Sequence, residues 1–542
     1  WLLPRPLLLP LSLADNKGFP FPEEVEAVLL PGQKEDLLRI LRSFSRAVLD
    51  PTGGVRGFLL ANGTGSGKTY VFGAFTRILA DWGWRVAVFS PNEDIREATL
   101  AVFKALGIPA PEGMVLTYAK LEALDRPAVL VYDEAHLLKN AHGARASSRG
   151  RKAYELSKGA PFVLYVTATP FDRPWEARYL AAVGIHRLLQ DTSFDRFITR
   201  FGVEILEGCN GSREYRFRGT VEDLARFHET LVGGGFMSRR LYVPSPGLVS
   251  YEAPRLELPK EGRQLLREVR RRLRLEADRA PPEHRGLIEA FRSGISRGIL
   301  ERLKLEAATP LIEELLVEGW TVALFLHFRS ERSLKLDTPE DVAEYLQGAE
   351  EGQGGGVLAE YVARALEGLH IHLPSPLEMV EERFSWLGEG LAFYTGRETA
   401  SERRRAKRLF DQGRIHLLVV TAQKGGFGLS LHDTTGRRPT AQVVLTLPWT
   451  AIALDQILGR TVRQGLSSPV KIVFPLAPSA IEAKVGRVIA ERLRTLGLAV
   501  RGGEGTLPQE VVQAFEYGLA EVDEEAFLRL LEGAEEPVSE GF

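Results

Sequence analysis

Two series of short runs rich in β-branched and aromatic residues limit what this chain can fold into. The first holds "GFLLA" (57–61), "RVAVFS" (85–90), "MVLTY" (114–118), "AVLVYD" (128–133) and "FVLYVTA" (162–168). Apolar runs of this length, each followed by turn residues and a helical pattern, predict buried parallel strands. The second series is "TVALFLHF" (321–328), "GLAFYTG" (390–396), "IHLLVVTA" (415–422), "AQVVLTLP" (441–448) and "VKIVFPLA" (470–477). Each series predicts an α/β domain with helices on both faces of its sheet.

Between the two, residues 256–318 place apolar side chains three and four apart with Arg and Glu interleaved, the pattern of a helical connector or insert. Residues 329–368 are too long for a plain loop, and a glycine cluster at 352–356 separates two helical patterns, so an inserted helical element is expected there. The resulting organisation is an extended arm (1–24), a first domain (25–253), a helical connector (254–318), a second domain (319–500) with a helical insert (331–389), and a helical tail (501–542). The opening "WLLPRPLLLPLSL" is broken by Pro4, Pro6 and Pro10 and is shorter than the roughly 20 residues a bilayer span needs. It reads as a packing arm, with a signal peptide as the alternative. No other apolar run is long enough to cross a membrane.

The length of 542 residues allows two to four domains. A formal net charge of −2 means that any affinity for nucleic acid must come from local basic patches. Cys209 is the sole cysteine, which excludes an internal disulfide and the usual multi-cysteine zinc sites and fits a reducing, intracellular, cytoplasmic setting.

Chemistry concentrates at the strand ends. In "NGTGSGKT" (62–69) an apolar run ends at Ala61, and Gly63, Gly65 and Gly67 let backbone N–H groups of the loop, Thr64 and Ser66 included, turn toward phosphate oxygens. Lys68 supplies a point charge for the outer phosphates and Thr69 a hydroxyl for Mg2+. Asn62 stands where the GxxxxGK[ST] pattern has its first glycine, and Asn tolerates positive φ. "VLVYDEAH" sets Asp133 and Glu134 at the tip of a buried strand, where Asp133 can hold Mg2+ through water and Glu134 can orient an attacking water. In "DQILGRTVRQG", the spacing of Gln456, Arg460 and Arg463 puts them near one face of a helix, and two guanidiniums there could reach the γ-phosphate; singly, they also fit surface ion pairs.

Taken in order, these segments resemble the superfamily 2 helicases and translocases. "LLPGQ" is similar to the adenine-reading Q motif, "NGTGSGKT" to motif I, "FSPNEDI" to motif Ia, "DEAH" to motif II, "TATP" to motif III, "ALFLHF" to motif IV, "TAQKGGFGLSL" to motif V and "QILGRTVRQG" to motif VI. "DEAHLLKN" resembles the DEAHxxKN of Snf2-type ATPases. "SSRGRKAYEL", "TATPFDRPWEARYL" and "LTLPWTAIALDQILGRTVRQG" bring the chain closer to the strawberry notch-like group, although "RQG" departs from the RxGQ or RSNQ ending of such relatives.

The resemblance implies two RecA-like parallel-sheet domains of the P-loop NTPase class with ATP between them. Gln33 would contact adenine, Gly63 to Thr69 would hold phosphates and magnesium, and Gly428 would lie near the cleft. Asp133 and Glu134 would run hydrolysis, with Arg460 and Arg463 as arginine fingers. His136, Thr167, Thr169 and Gln456 would couple nucleotide state to closure; for His136 and the two threonines, ordinary helix-start and strand-end roles stand equally open.

A strand held through its phosphates would need donors at strand ends. The candidates are Ser90, Asn92, Thr117, Tyr118, His327, Arg329, Thr421, Gln423 and Lys424. "REVRRRLRLEADR" and "RETASERRRAKRLFDQG" are basic enough for the same task, but interleaved glutamates and leucines favour a solvated amphipathic helix for the first, and the second carries a similar ambiguity. The expected function is an ATP-dependent DNA helicase or translocase using ATP and Mg2+. An RNA-remodelling ATPase and a nucleotide-switched scaffold are the alternatives.

Overall fold

The computed structural model describes residues 20–124, 128–142, 146–207, 213–326, 333–336, 338, 340–342, 344, 355–421, 429–503, 505 and 507–517. The chain divides into two units, residues 1–243 with 491–506, and residues 244–490 with 507–542. The expected arm and most of the expected tail lie outside the described residues, as does part of the insert.

The strands of the first unit are β1 (Gly57–Leu60), β2 (Val86–Ser90), β3 (Val115–Thr117), β4 (Val129–Asp133), β5 (Val163–Val166), β6 (Val203–Glu207), β7 (Arg213–Phe217) and β8 (Met237–Ser238). Six of them form one sheet in the order β3-β2-β4-β5-β1-β8, with every pairing parallel. Strands β6 and β7 form a separate antiparallel ladder. Every residue of β1, β2, β4 and β5 is buried, which is why the sequence shows continuous apolar runs instead of alternation.

Each face of this sheet has an aromatic core. On one, Phe44 of helix Pro31–Leu49 meets Phe75 of helix Lys68–Asp81 at 6.1 Å between ring centroids and Phe162 at 5.5 Å, both close to edge-on. On the other, rings on neighbouring strands follow one another across the sheet, Phe89 to Tyr132 at 5.6 Å and Tyr132 to Tyr165 at 5.8 Å, and Tyr179 of the helical segment Pro174–Val183 continues the row at 5.5 Å from Tyr165. Phe89–Tyr132 and Tyr132–Tyr165 are direct register partners, so the row follows from strand pairing. Burying one such ring contributes roughly 2–3 kcal/mol. The row also fixes the carboxyl ends of β4 and β5, because Tyr118 Oη donates to the Asp133 carbonyl (2.7 Å) and Tyr179 Oη to that of Pro170 (3.3 Å).

The first unit is completed by residues far away in the sequence. Arg492 pairs with the buried carboxylate of Asp172 at 3.8 Å, and the turn Leu496–Val500 packs on helix Val221–Gly233.

The second unit holds β9 (Val249–Glu252), β10 (Thr321–Leu326), β11 (Leu334–Lys335), β12 (His372–Leu373), β13 (Leu391–Tyr394), β14 (Leu417–Thr421), β15 (Thr440–Val444) and β16 (Val470–Val473). Its sheet runs β13-β14-β10-β15-β16-β9 and is again wholly parallel. Strand β9 lies within residues assigned to the first domain from sequence, yet it pairs with β16. Helices Lys260–Arg279 and Pro282–Val317 occupy the expected connector. The arginine-rich helix buries Leu266, Val269, Leu273 and Ala277 along one side, as an amphipathic helix does. Within the longer helix, Lys304 forms a fully buried ion pair with Glu482, and Arg297 Nη2 donates to the Leu447 carbonyl at 2.7 Å. The expected α/β class is therefore present twice, as two parallel six-stranded sheets flanked by helices, the RecA-like arrangement.

Candidate nucleotide site

The loop that follows β1 has the geometry of a phosphate cradle. Gly65 and Gly67 both adopt left-handed backbone (φ 75° and 77°), a conformation glycine reaches without the penalty a Cβ imposes. Helix Lys68–Asp81 begins directly afterwards, so its first N–H groups and the positive end of its dipole face the loop. Lys68 Nζ donates to the carbonyls of Asn62 (3.0 Å) and Gly63 (3.1 Å), folding its ammonium back over the loop. Thr69, half-buried, is the second residue of the helix. Gly63, Thr64 and Ser66 lie between Asn62 and the helix, and Gly63 N donates to the Arg240 carbonyl at 2.8 Å.

Gln33 sits against this loop. Its Oε1 accepts from Leu30 N (2.9 Å) at the start of helix Pro31–Leu49, and its Nε2 donates to Ser66 O (3.1 Å). A Cβ on Gly67 would overlap the Gln33 amide, so that glycine is needed for space as well as for φ. Gln33 thus ties the loop to the preceding helix, whatever it also offers to a base.

Asn62 does not take up the positive φ its position in the pattern suggested: among the described residues, only Ala110, Glu134 and Gln190 are non-glycine residues with positive φ. It is fully buried, and its Nδ2 donates to Asp36 Oδ2 at 2.6 Å. The side chain anchors the loop sideways, and the turn is left to Gly65 and Gly67.

The acidic pair stands at the same end of the sheet. Asp133 closes β4, and Glu134 follows with φ 52°, a conformation that costs a non-glycine residue roughly 1–2 kcal/mol. Glu134 N donates to Asp133 Oδ1 (3.0 Å), and Glu134 Oε2 lies 3.4 Å from His136 Nδ1. That nitrogen is also 3.1 Å from Thr167 Oγ1, which accepts from Thr169 N at 3.2 Å. Glu134, His136, Thr167 and Thr169 therefore form one series of polar contacts, hydrogen-bonded from His136 to Thr169. Burial, reinforced by the Glu134 charge and opposed by Lys68, pushes the Asp133 carboxyl up to about 7. Two carboxylates in that position suit a cation, and loop N–H groups ahead of a helix N-terminus suit an anion. Both features fit a magnesium nucleotide, to whose metal Asp133 and Thr69 would offer oxygen donors.

The nucleic-acid candidates divide by burial. Ser90 is fully buried at the end of β2, and Thr421 likewise at the end of β14. Tyr118 is buried in the aromatic row with its hydroxyl committed to Asp133, and burial followed by the Asp133 charge raises it well above the usual phenol range. Asn92 Oδ1 caps helix Glu93–Ala105 by accepting from Ile95 N (3.0 Å). Thr117 is half-exposed at the end of β3. His327, Arg329, Gln423, Lys424 and Gly428 lie outside the described residues.

In the second unit the expected helical face breaks down. Helix Ala451–Leu458 stops at Gly459, whose ψ of 0° ends the hydrogen-bonded series, so Gln456 is helical while Arg460 and Arg463 follow in the turn beyond. Arg460 is buried, and its Nη1 donates to the Leu429 carbonyl (3.0 Å) while Leu431 N donates to the Arg460 carbonyl (2.7 Å). Arg463 and Gln456 are half-buried. Nearby, Asp433 accepts from Ser468 Oγ (2.5 Å) and from the N–H groups of Thr435, Arg437 and Arg438 (2.8–3.0 Å). Burial alone would raise its carboxyl, but these donors hold it well below the usual range.

Sequence reasoning missed three contributors to the first unit's site. Arg239 Nη1 donates to the carbonyl of Ala61 (3.3 Å), Arg240 pairs with Asp36 (2.7 Å), and Lys139 of "DEAHLLKN" pairs with Glu176 (3.2 Å). The local signals were the adjacent "RR" of "SRRLYV" and the lysine of "DEAHLLKN", and neither names a partner.

No protein-family model matches the chain. Over 110 residues it is 31% identical to a protein of Acanthamoeba polyphaga mimivirus named "Putative ATP-dependent RNA helicase", a match spanning 20% of this chain and 20% of that protein. Among solved structures it is similar to the Sulfolobus solfataricus SWI2/SNF2 ATPase core in complex with dsDNA, with 16% identity, a TM-score of 0.32, and coverage of 91% of this chain and 98% of that one.

Proposed function

We propose that the chain is an ATP-dependent nucleic-acid translocase or helicase of superfamily 2, acting on DNA and working inside the cell. The observation that carries the reading is the meeting of loop and acidic tip at one end of the first sheet, where the Lys68 charge is felt by the buried Asp133 carboxyl. In this reading Gly63 to Lys68 bind the phosphates, and Thr69 and Asp133 hold Mg2+, which when bound neutralises phosphate charge. Glu134 orients the attacking water and takes its proton, held in place by its left-handed backbone and by His136. His136, Thr167 and Thr169 then convey the presence of the γ-phosphate to the strand end of β5. Arg463, the more exposed of the two arginines, supplies positive charge in the transition state, and Arg460 braces motif VI against Leu429.

The "DEAHLLKN" and motif VI patterns favour DNA, and the likeness of "SSRGRKAYEL", "TATPFDRPWEARYL" and "LTLPWTAIALDQILGRTVRQG" favours the strawberry notch-like group within the superfamily. The partial match to a protein named as an RNA helicase supports RNA as a second reading. ATP hydrolysis titrated side by side with single-stranded DNA, duplex DNA, forked DNA and RNA tests both. Stimulation by DNA that disappears in Lys68→Ala and Glu134→Gln and falls in Arg463→Ala is the expected result. Stimulation by RNA alone selects the second reading, and turnover indifferent to nucleic acid and to Arg463→Ala removes the motor.

A further inference from the structure

The segment after β8 runs beside the phosphate loop and touches it repeatedly. Ala61 N donates to the Ser238 carbonyl (3.0 Å), and Gly63 N to that of Arg240 (2.8 Å). A Cβ on Gly63 would stand 3.0 Å from Leu241 Cδ2. The Arg240 side chain crosses to helix Pro31–Leu49 and pairs with Asp36 Oδ2 at 2.7 Å, the oxygen that also accepts from Asn62 Nδ2 at 2.6 Å. Asp36 and Asn62 are both buried, so this carboxylate has given up water for one hydrogen-bond donor, the Asn62 amide, and one ion-pair partner, the Arg240 guanidinium. The guanidinium reaches it by lying directly over Gly32, where a Cβ would overlap Arg240 Nη1. Three sequence-distant segments therefore meet at one oxygen: helix Pro31–Leu49, which carries the Asp36 carboxylate and the bare backbone of Gly32, the Asn62 amide and the Arg240 guanidinium.

We infer that Arg240 is a positioning residue of the ATP site, which acts through Asp36 and Asn62 to hold the phosphate loop in its binding geometry. The inference rests on the ATPase reading and extends it to a residue outside the nucleotide motifs. It also gives Asn62 a task that the glycine of the usual pattern cannot perform, because glycine has no side chain to donate. An anchor at the first residue of the loop is felt by the whole loop, since the N–H groups that meet phosphate follow within a few residues.

The test uses the full chain and measures MgATP affinity with a fluorescent ATP analogue, KM and kcat at saturating nucleic acid, and the melting temperature of each variant. Arg240→Ala, Asp36→Asn and Asn62→Gly are each expected to raise Kd and KM about ten-fold while kcat stays within about two-fold. Arg240→Ala combined with Asp36→Asn should cost no more than either alone, because both act through one contact. Arg240→Lys, which keeps the charge, should recover part of the loss. Gly32→Ala separates positioning from folding. Alanine favours the helix and leaves every charge in place, yet its methyl group displaces the guanidinium, so KM should rise while the melting temperature holds or increases.

Wild-type KM in Gly32→Ala and Arg240→Ala, or losses confined to melting temperature, would overturn the inference. Multiplicative losses in the double variant would overturn it as well. Should the wild type itself bind no MgATP, or Lys68→Ala bind it as well as the wild type does, the ATPase reading fails and the inference falls with it. That failure is recognisable because it precedes any effect of Arg240.

Discussion

Replacing Glu176 by Gln should change how the stability of the protein depends on pH. Glu176 Oε1 pairs with Lys139 Nζ at 3.2 Å, and Oε2 accepts from Asp172 N at 3.1 Å, in a site where the glutamate side chain is 11% exposed. Burial, opposed by Lys139 and reinforced by the Asp172 charge, pushes its carboxyl from 4.5 up to about 7. A raised carboxyl pKa means that the folded state keeps a proton which the unfolded chain releases. The wild type therefore loses stability from this group as pH rises from about 4.5 to about 7, and loses nothing further above that. Each pH step of one across this window removes about 1.4 kcal/mol, so the loss is of the order of 3 kcal/mol. A glutamine side chain cannot ionise and keeps an acceptor for the Asp172 N–H, so Glu176→Gln should lack this part of the slope. Urea unfolding of both proteins from pH 4.5 to 8 reads the difference directly. The variant should gain about 3 kcal/mol relative to the wild type across the window, whatever its offset at the acid end, where Lys139 has lost a partner. Parallel stability curves, or a gap that closes with rising pH, would refute the reasoning.

Lys304→Met should destabilise the second unit by about 3–5 kcal/mol, because it leaves Glu482 buried without its cation; adding Glu482→Leu should restore most of that, as thermal unfolding of the single and double variants will show. Tyr118→Phe removes the hydroxyl that serves the Asp133 carbonyl and should cost about 1–2 kcal/mol in urea unfolding, with a fall in ATP turnover at unchanged protein fold. Gly486→Ala would push a methyl group into the Phe515 carbonyl, so helix Gln509–Tyr517 should become open to limited proteolysis well before the rest of its unit.

The main strands were legible because parallel strands buried on both faces leave continuous apolar runs, and "VLVYD" and "VAVFS" admit few other readings. The ones that went unread carry no such signature. Strand β8 is two residues long, β9 ("VSYE") is an edge strand that alternates in exposure, and β6 and β7 ("VEILE", "REYRF") pair antiparallel outside the main sheet. At the nucleotide loop, sequence spacing located the glycines and Lys68 but left Asn62 unexplained, since its partner Asp36 lies on another element. The motif VI arginines were placed on a helix by spacing alone, and a single glycine, Gly459, was enough to end that helix before them. Ion pairs such as Asp36–Arg240 and Lys139–Glu176 join residues whose neighbours in sequence give no hint of each other, and only the fold brings them within reach.

The discontinuity of the first unit also has a consequence during synthesis. Strands β1 to β8 have all left the ribosome once Ser238 has emerged, yet Arg492 and the turn Leu496–Val500 are translated only after β9 to β16. Until then Asp172 has no Arg492 beside it, and the surface of helix Val221–Gly233 that receives the late turn is uncovered. The unit that begins first is therefore completed only after every strand of the second sheet has been made. A nascent chain halted short of residue 491 would present that helix surface to chaperones and proteases, with the strands of the second sheet already tethered behind it.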